Sequence, residues 1–162
     1  MTMKKIRQKK GFTIIEVVLV LAIAGLIFSL VFVALPGLQR AQRDTETKNN
    51  VSVVSSGIVT YVSNNNGGFP AADTYTQGAS LAFNAYISEV YKSNTTKIII
   101  ETTATLPTKK APTEGVMYVI KGSACDVAES DGYKIKASTS GRAYTITAYL
   151  QAGGGTYYCQ SY

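Results

Sequence analysis

The chain has 162 residues, with 16 basic and 10 acidic side chains and no histidine. This length allows one globular domain beside a membrane-spanning segment. Without histidine the commonest general base and a frequent metal ligand are missing, and no spacing of serine, lysine and carboxylates indicates a catalytic constellation. The composition therefore argues against an enzyme and predicts no resident cofactor.

The N-terminal part combines a basic flank with a long apolar segment. Residues 1–11 hold five positive charges and no acid, which predicts that this flank stays cytoplasmic. Residues 17–35 form an apolar run of 19 residues that only Gly25 and Ser29 dilute, close to the roughly 20 residues that a helix needs to cross a bilayer. Glu16 stands near the start of this span. A carboxylate there costs roughly 2.5–3.5 kcal/mol on insertion scales, so Glu16 is a candidate functional residue.

The sequence KGFTIIE at residues 10–16, followed by the apolar run, resembles the class III signal of type IV pilins and pseudopilins. The close resemblance covers about residues 4–40. It implies that residues 1–11 are a leader peptide, which a prepilin peptidase removes by cutting between Gly11 and Phe12, and that the new amine of Phe12 is methylated. It also implies that Glu16 of an incoming subunit pairs with the Phe12 amine of a neighbour and sets the axial register. The alternative is that Glu16 is an isolated polar residue near the membrane interface.

Cleavage at Gly11 would remove most of the net positive charge. Five of the 16 basic residues lie in residues 1–11, so eleven basic residues would remain against ten acidic ones. The sequence pI of about 9.3 therefore does not argue for nucleic-acid binding by the mature chain.

Residues 12–35 are predicted to form the membrane-spanning or filament-core helix, and residues 36–64 its amphipathic second half. Val51, Val54, Ile58 and Val62 recur at spacings of three and four, which predicts a buried stripe. The charged residues of this half are assigned to the solvent-facing surface: Arg40, Arg43, Asp44, Glu46 and Lys48. The run NNNGGFP at residues 64–70 is expected to end the helix.

Two residues weaken the first half of the helix. Pro36 removes a backbone donor, so we expect a kink or a local break near Gly37. Gly25 lowers helix propensity. The resemblance implies that residues 25–36 melt in assembled filaments, whereas the alternative is a helix that is only kinked.

Residues 65–115 are predicted to be a connecting region with a short helix at about residues 79–92, a brief strand at residues 97–101 and a solvated loop at Lys109-Lys110. Alternating side chains then predict strands at residues 116–121, 133–137 and 144–150. Turns at Asp131-Gly132 and Ser140-Gly141 favour antiparallel neighbours. Residues 116–162 should therefore form a three- or four-stranded antiparallel sheet whose Tyr144 side packs on the helix stripe. This is an α+β, two-layer fold, and the resemblance implies the same pilin head.

Cys125 and Cys159 lie 34 positions apart, in the part that the topology places outside the cytoplasm. Disulfides persist there, so we predict one bridge between them. The alternatives are free thiols or an intermolecular pair. Two thiols without histidine make a poor zinc site.

Two weaker patterns leave alternatives open. Asp126, Glu129 and Asp131 supply oxygen ligands that suit calcium, but their spacing departs from an EF-hand and a solvated turn explains them more simply. An aromatic and basic DNA contact competes with ordinary core and surface packing for a second group: Tyr149, Tyr157, Tyr158 and Tyr162 with Lys134, Lys136 and Arg142.

Together these features predict a structural subunit, a type IV pilin that is inserted in the cytoplasmic membrane as a single-pass precursor and polymerised into an extracellular filament. The resemblance implies a separate ATPase and membrane platform, and adhesion, motility or DNA uptake as outcomes. The first alternative is a pseudopilin of a type II secretion or competence system, and the second is a DNA-binding minor pilin at a pilus tip. The C-terminal disulfide loop favours a true pilin.

Overall fold

The computed structural model describes residues 11–92, 95, 97–102, 112–126, 135–152 and 155–162. The chain divides into two compact units, Met1–Leu38 and Gln39–Tyr162. Within the described residues there are one long helix, α1 (Ile14–Asn64), two short 3₁₀ helices and seven strands. The strands are β1 (Thr74–Thr76), β2 (Lys97–Thr102), β3 (Val116–Lys121), β4 (Ser123–Cys125), β5 (Ile135–Ala137), β6 (Tyr144–Leu150) and β7 (Thr156–Ser161).

Helix α1 ends at Asn64, where the asparagine and glycine run predicts its end. Asn66 adopts a left-handed conformation with φ of 52°, and the N–H of Gly67 donates to the carbonyl of Val62 at 2.9 Å. This arrangement satisfies a carbonyl that the last turn would leave unpaired. Pro36 predicts a kink or a local break near Gly37. Helix α1 continues through Pro36, so the structure shows no local break there.

The first unit exposes the apolar half of α1. Its large apolar side chains between Phe12 and Leu38 are exposed by 43–88%. Length and composition make α1 the one membrane-span candidate among the described helices. Its most apolar stretch of 18 residues has a mean hydropathy of 3.1, and no part of that stretch is buried. Because so much apolar surface is unfavourable in water, this half of the helix is suited to a membrane or to a bundle of other helices.

The second unit contains a five-stranded sheet in the order β1-β2-β3-β6-β7. Neighbouring strands are antiparallel except β2 and β3, which run parallel from Lys97 beside Val116 to Thr102 beside Lys121. The sheet is therefore larger than the three or four strands expected, and mixed rather than wholly antiparallel. The connection over residues 103–115 has the dozen or so residues that a parallel crossover needs.

The second half of α1 packs on this sheet, which confirms the α+β fold. Val51, Val54 and Ile58 are at most 1% exposed, as their spacing predicts, and Val62 packs against them. Alternate residues of the strands complete the core: Ile98, Ile100, Met117, Val119, Tyr144, Ile146 and Ala148. Tyr144 and Ser55 share a buried hydrogen bond of 2.9 Å between their hydroxyls.

Two local predictions differ from the structure. In place of one helix over residues 79–92 there are two 3₁₀ helices, Ala82–Tyr86 and Ser88–Lys92; the predicted apolar residues Phe83, Ile87 and Val90 are nevertheless buried. Strand β5 pairs with β4 in a separate two-stranded sheet. It does not pair with β6, because β3 and β7 occupy both edges of β6.

Candidate functional site

The candidate processing site lies just before α1. Gly11, Phe12 and Thr13 are not helical, and Phe12 is 88% exposed. A Cβ added at Gly11 would meet no atom within 4 Å. The Gly11–Phe12 peptide bond therefore lies in exposed, non-helical chain. Residues 1–10 of the predicted leader lie outside the described residues.

Glu16 is held by Thr13 at the first turn of α1. Its Oε2 accepts hydrogen bonds from the backbone N–H and from the hydroxyl of Thr13, both at 2.8 Å. The backbone bond is half of a capping box, in which a carboxylate three residues into the helix satisfies the N-cap amide. Our sequence interpretation missed this role of Thr13, although Thr-x-x-Glu before an apolar run is its signal.

Both of these bonds reach the same oxygen of the carboxylate. Among the hydrogen bonds and ion pairs of the described residues, none reaches Oε1 of Glu16. The groove around Glu16 is otherwise apolar, lined by Phe12, Ile15, Val17, Leu19, Val20 and Leu21. A further donor that approached Oε1 would meet a carboxylate already oriented by Thr13.

Residues 6–32 match the family model described as the prokaryotic N-terminal methylation motif. This motif, the class III signal, is the hallmark of type IV pilins and pseudopilins. The chain matches no curated protein and no solved structure. Residues 6–32 thus carry the class III signal, which supports a pilin- or pseudopilin-like precursor and implies processing by a prepilin peptidase and assembly into pilus-like polymers.

The predicted melting segment, residues 25–36, is helical in the single chain. The hydroxyl of Ser29 donates to the carbonyl of Gly25 at 3.0 Å. Melting of this segment concerns assembled filaments, so it stays a prediction.

In the second unit, Cys125 on β4 and Cys159 on β7 form a disulfide with their Cα atoms 6.0 Å apart. The N–H of Cys125 also donates to the hydroxyl of Ser161 at 2.7 Å. The bridge therefore fastens the small β4–β5 sheet to β7, an edge strand of the large sheet.

The structure adds little to the calcium hypothesis. Asp126 directly follows β4, whereas Glu129 and Asp131 lie outside the described residues. Within the part of the chain that the structure describes, no three metal-ligating side chains cluster. Calcium binding through Asp126 stays a prediction.

The tyrosines of the possible DNA contact lie on two faces of the sheet. Tyr158 packs against the core, with Lys48 Nζ 5.7 Å from its ring centroid, and the ring of Tyr162 stacks on Tyr144 at 5.1 Å. Tyr157 is adjacent to Tyr158 in the strand, so it faces the other way, and it contacts Tyr149 at 5.9 Å. Lys134 lies outside the described residues. These four rings therefore do not form one platform.

Asp44 is the charged residue of α1 that our sequence interpretation placed wrongly. It was assigned to the surface, but it is only 7% exposed. Its two oxygens accept the backbone N–H groups of Gln151 at 2.6 Å and of Ala152 at 2.9 Å. Beside it, Arg43 Nη1 lies 3.3 Å from Gln151 Oε1 and 3.8 Å from Glu114 Oε1. Asp44 thus fastens the β6–β7 connection to α1.

Proposed function

We propose that the chain is a type IV pilin subunit, made as a single-pass membrane precursor and polymerised into an extracellular filament after its leader is removed. One observation carries this proposal: the methylation motif at residues 6–32 overlaps the apolar half of a helix that is unburied there, while the other half of the helix packs into the core of a separate compact unit. Such a helix fits a bilayer before assembly and a bundle of identical helices after it. The main partners of each subunit are therefore other copies of the same chain. The prepilin peptidase, the ATPase and the membrane platform act on the subunit in turn.

In this mechanism Glu16 controls the register of assembly. Cleavage would give Phe12 a charged amine, and a helical bundle is as dry as the membrane, so each charge needs a partner. Thr13 already donates two hydrogen bonds to Oε2 of Glu16. The Phe12 amine of a neighbouring subunit would form an ion pair with the carboxylate through Oε1. The pairing would hold adjacent helices at one axial offset.

Processing is tested by the intact mass of the chain recovered from sheared cell-surface filaments. We expect a mature chain that begins at Phe12 and carries a methylated amine. A chain that began after Leu35, as an ordinary signal peptidase would leave it, would contradict the proposal. Replacing Gly11 with a bulky residue should leave the precursor uncut in the membrane.

Assembly is tested by Glu16→Ala, with Glu16→Asp as the matched variant that keeps the charge. We expect Glu16→Ala to be inserted and cleaved but not polymerised, because leaving one member of a buried pair unpaired costs about 3–5 kcal/mol. Glu16→Asp should assemble in reduced amounts. Immunoblots of the membrane fraction measure cleavage, and electron microscopy counts filaments. Normal pili made of the Glu16→Ala chain would show that Glu16 does not set the register.

The pseudopilin of a secretion or competence system remains the second candidate, since it shares the same signal. The disulfide that fastens β7 supports the pilin proposal. Negative-stain microscopy of sheared material, with mass spectrometry of the filaments, separates the two: abundant long filaments of this chain indicate a pilin. Mobility-shift assays with competing DNA test the third candidate, a DNA-binding minor pilin at the pilus tip.

A further inference from the structure

A surface hollow lies where the β3–β4 turn meets the β5–β6 loop. It has a volume of about 350 Å³ and is lined by Lys121, Gly122 and residues 137–141. We call it the Lys121 hollow. Its lining residues include one lysine and three residues with hydroxyl groups, Ser138, Thr139 and Ser140, and no acidic and no aromatic residue. The hollow therefore presents hydrogen-bond donors and a positive charge.

The surroundings of the hollow are also positive. Lys136 and Arg142 are exposed and stand immediately before and after the lining segment 137–141. Among the described residues, no ion pair includes Lys121, Lys136 or Arg142, whereas Lys92 is paired with Glu89. The sequence contains no acidic residue after Asp131. These three cations therefore make no ion pair with the described residues.

Hydrogen bonds hold the loop in one arrangement. Gly122 donates its N–H to the carbonyl of Ala143 at 2.6 Å, and Ser138 donates its N–H to the carbonyl of Gly122 at 2.8 Å. The N–H of Ser140 donates to the hydroxyl of Ser138 at 3.2 Å. Lys121 lies over the ring of Phe69, with Nζ 5.4 Å from the centroid. These bonds fix the backbone of the loop, and the side chains of Thr139 and Ser140 are exposed, so their hydroxyls are accessible to a ligand.

We propose that the Lys121 hollow binds a carboxylate-bearing sugar of an acidic glycan, with Lys121 facing the carboxylate and the loop hydroxyls facing the sugar hydroxyls. The volume falls at the lower end of the range of about 300–1,000 Å³ for small-molecule sites. Nucleic acid fits less well. Single strands favour aromatic stacking platforms, and a duplex-binding protein can make roughly 6–10 phosphate contacts, while the hollow has one cation in its lining and two beside it. The inference concerns the second unit alone and does not depend on filament assembly.

The test uses the full chain in neutral detergent micelles and fluorescence anisotropy. The probes are fluorescein-labelled alginate tetrasaccharide and a labelled sialic acid tetramer, which distinguish a uronic acid from a sialic acid. A carboxyl-reduced alginate tetrasaccharide and a short duplex DNA are the comparisons. We expect at least one acidic glycan to bind more tightly than its comparisons. Equal affinity for the reduced sugar, tighter binding of duplex DNA, or no glycan binding would overturn the proposal.

Two variants locate the binding. Gly141 lines the hollow, and a Cβ added there would meet no atom within 4 Å, so Gly141→Leu should add bulk at the lining without strain and weaken binding about tenfold or more, equivalent to about 1.4 kcal/mol. A triple variant, Lys121→Gln with Lys136→Gln and Arg142→Gln, should weaken it similarly. The matched control makes the same charge change elsewhere: Arg40→Gln with Lys92→Gln and Lys97→Gln. Unchanged affinity in Gly141→Leu, or equal losses in the two triple variants, would show that the hollow is not the site.

Discussion

Asp44→Asn should destabilise the second unit by about 2–3 kcal/mol. The carboxylate is 7% exposed and accepts two backbone N–H groups. The amide keeps one acceptor oxygen but turns an NH₂ group toward the second N–H, which is then unsatisfied. A hydrogen bond to a charged group contributes about 1.5–3 kcal/mol, and an unsatisfied buried donor costs about 1–3 kcal/mol. Since the loop can relax toward water, we expect one such loss rather than two.

The control for this prediction is Glu46→Gln. It makes the same charge change two residues further along α1, and in the described part of the chain no hydrogen bond or ion pair involves the Glu46 side chain. It should change stability by less than about 0.5 kcal/mol, as surface substitutions usually do.

Thermal unfolding of the full chain in detergent, followed by the near-UV circular dichroism of its tyrosines, measures both variants. For a unit of this size, 1 kcal/mol shifts Tm by about 4 °C, so Asp44→Asn should lower Tm by about 10 °C. Proteolysis at the glycine-rich β6–β7 connection should also become faster. The reasoning is refuted if Asp44→Asn and Glu46→Gln melt at the same temperature.

Three further predictions concern the stability of the second unit. Gly57→Ala should lower Tm although alanine favours helices by about 1 kcal/mol, because its Cβ would lie 2.9 Å from Ile87 Cγ2 and from a backbone carbonyl; a raised Tm would contradict this. Cys159→Ser should cost up to about 4 kcal/mol through the loop closed with Cys125, and alkylation of the native, unreduced chain should detect no free thiol. Burial, with a smaller contribution from a neighbouring tyrosine, raises the pKa of Tyr91 to about 12. Unfolded tyrosine titrates near pH 10, so stability should fall as the pH rises from about 10 to 12; Tyr91→Phe should weaken that fall, and absorbance of the phenolate measures the titration.

Local patterns predicted the parts of the fold that depend on local physics. The spacing of Val51, Val54 and Ile58 predicted the buried stripe of α1 because a helix turns every 3.6 residues. The alternation of Tyr144, Ile146 and Ala148 predicted the inner face of β6 for the equivalent reason in a strand. The end of α1 followed from residues that adopt left-handed backbone conformations at little cost.

Other features depend on contacts that sequence spacing does not contain. Asp44 looks like any charged residue of an amphipathic helix; its burial depends on a loop more than a hundred positions away. Likewise, residues 135–137 carry a strand pattern, but the pattern does not say that β4 rather than β6 is the partner. The Thr13–Glu16 bonds were different, because their signal was present in four consecutive residues.

The distribution of charge along α1 explains why one carboxylate matters so much in the proposed assembly. Between Glu16 and Arg40 the helix carries no charged side chain, and its remaining charges lie between Arg40 and Lys48. Transfer of the first unit from the bilayer into a bundle of helices therefore exchanges one apolar environment for another. Glu16 is the exception. The charges of its carboxylate and of the Phe12 amine each need a partner in both environments. Apolar contacts between helices are similar at many axial offsets, so the pairing of these two charges selects the correct offset.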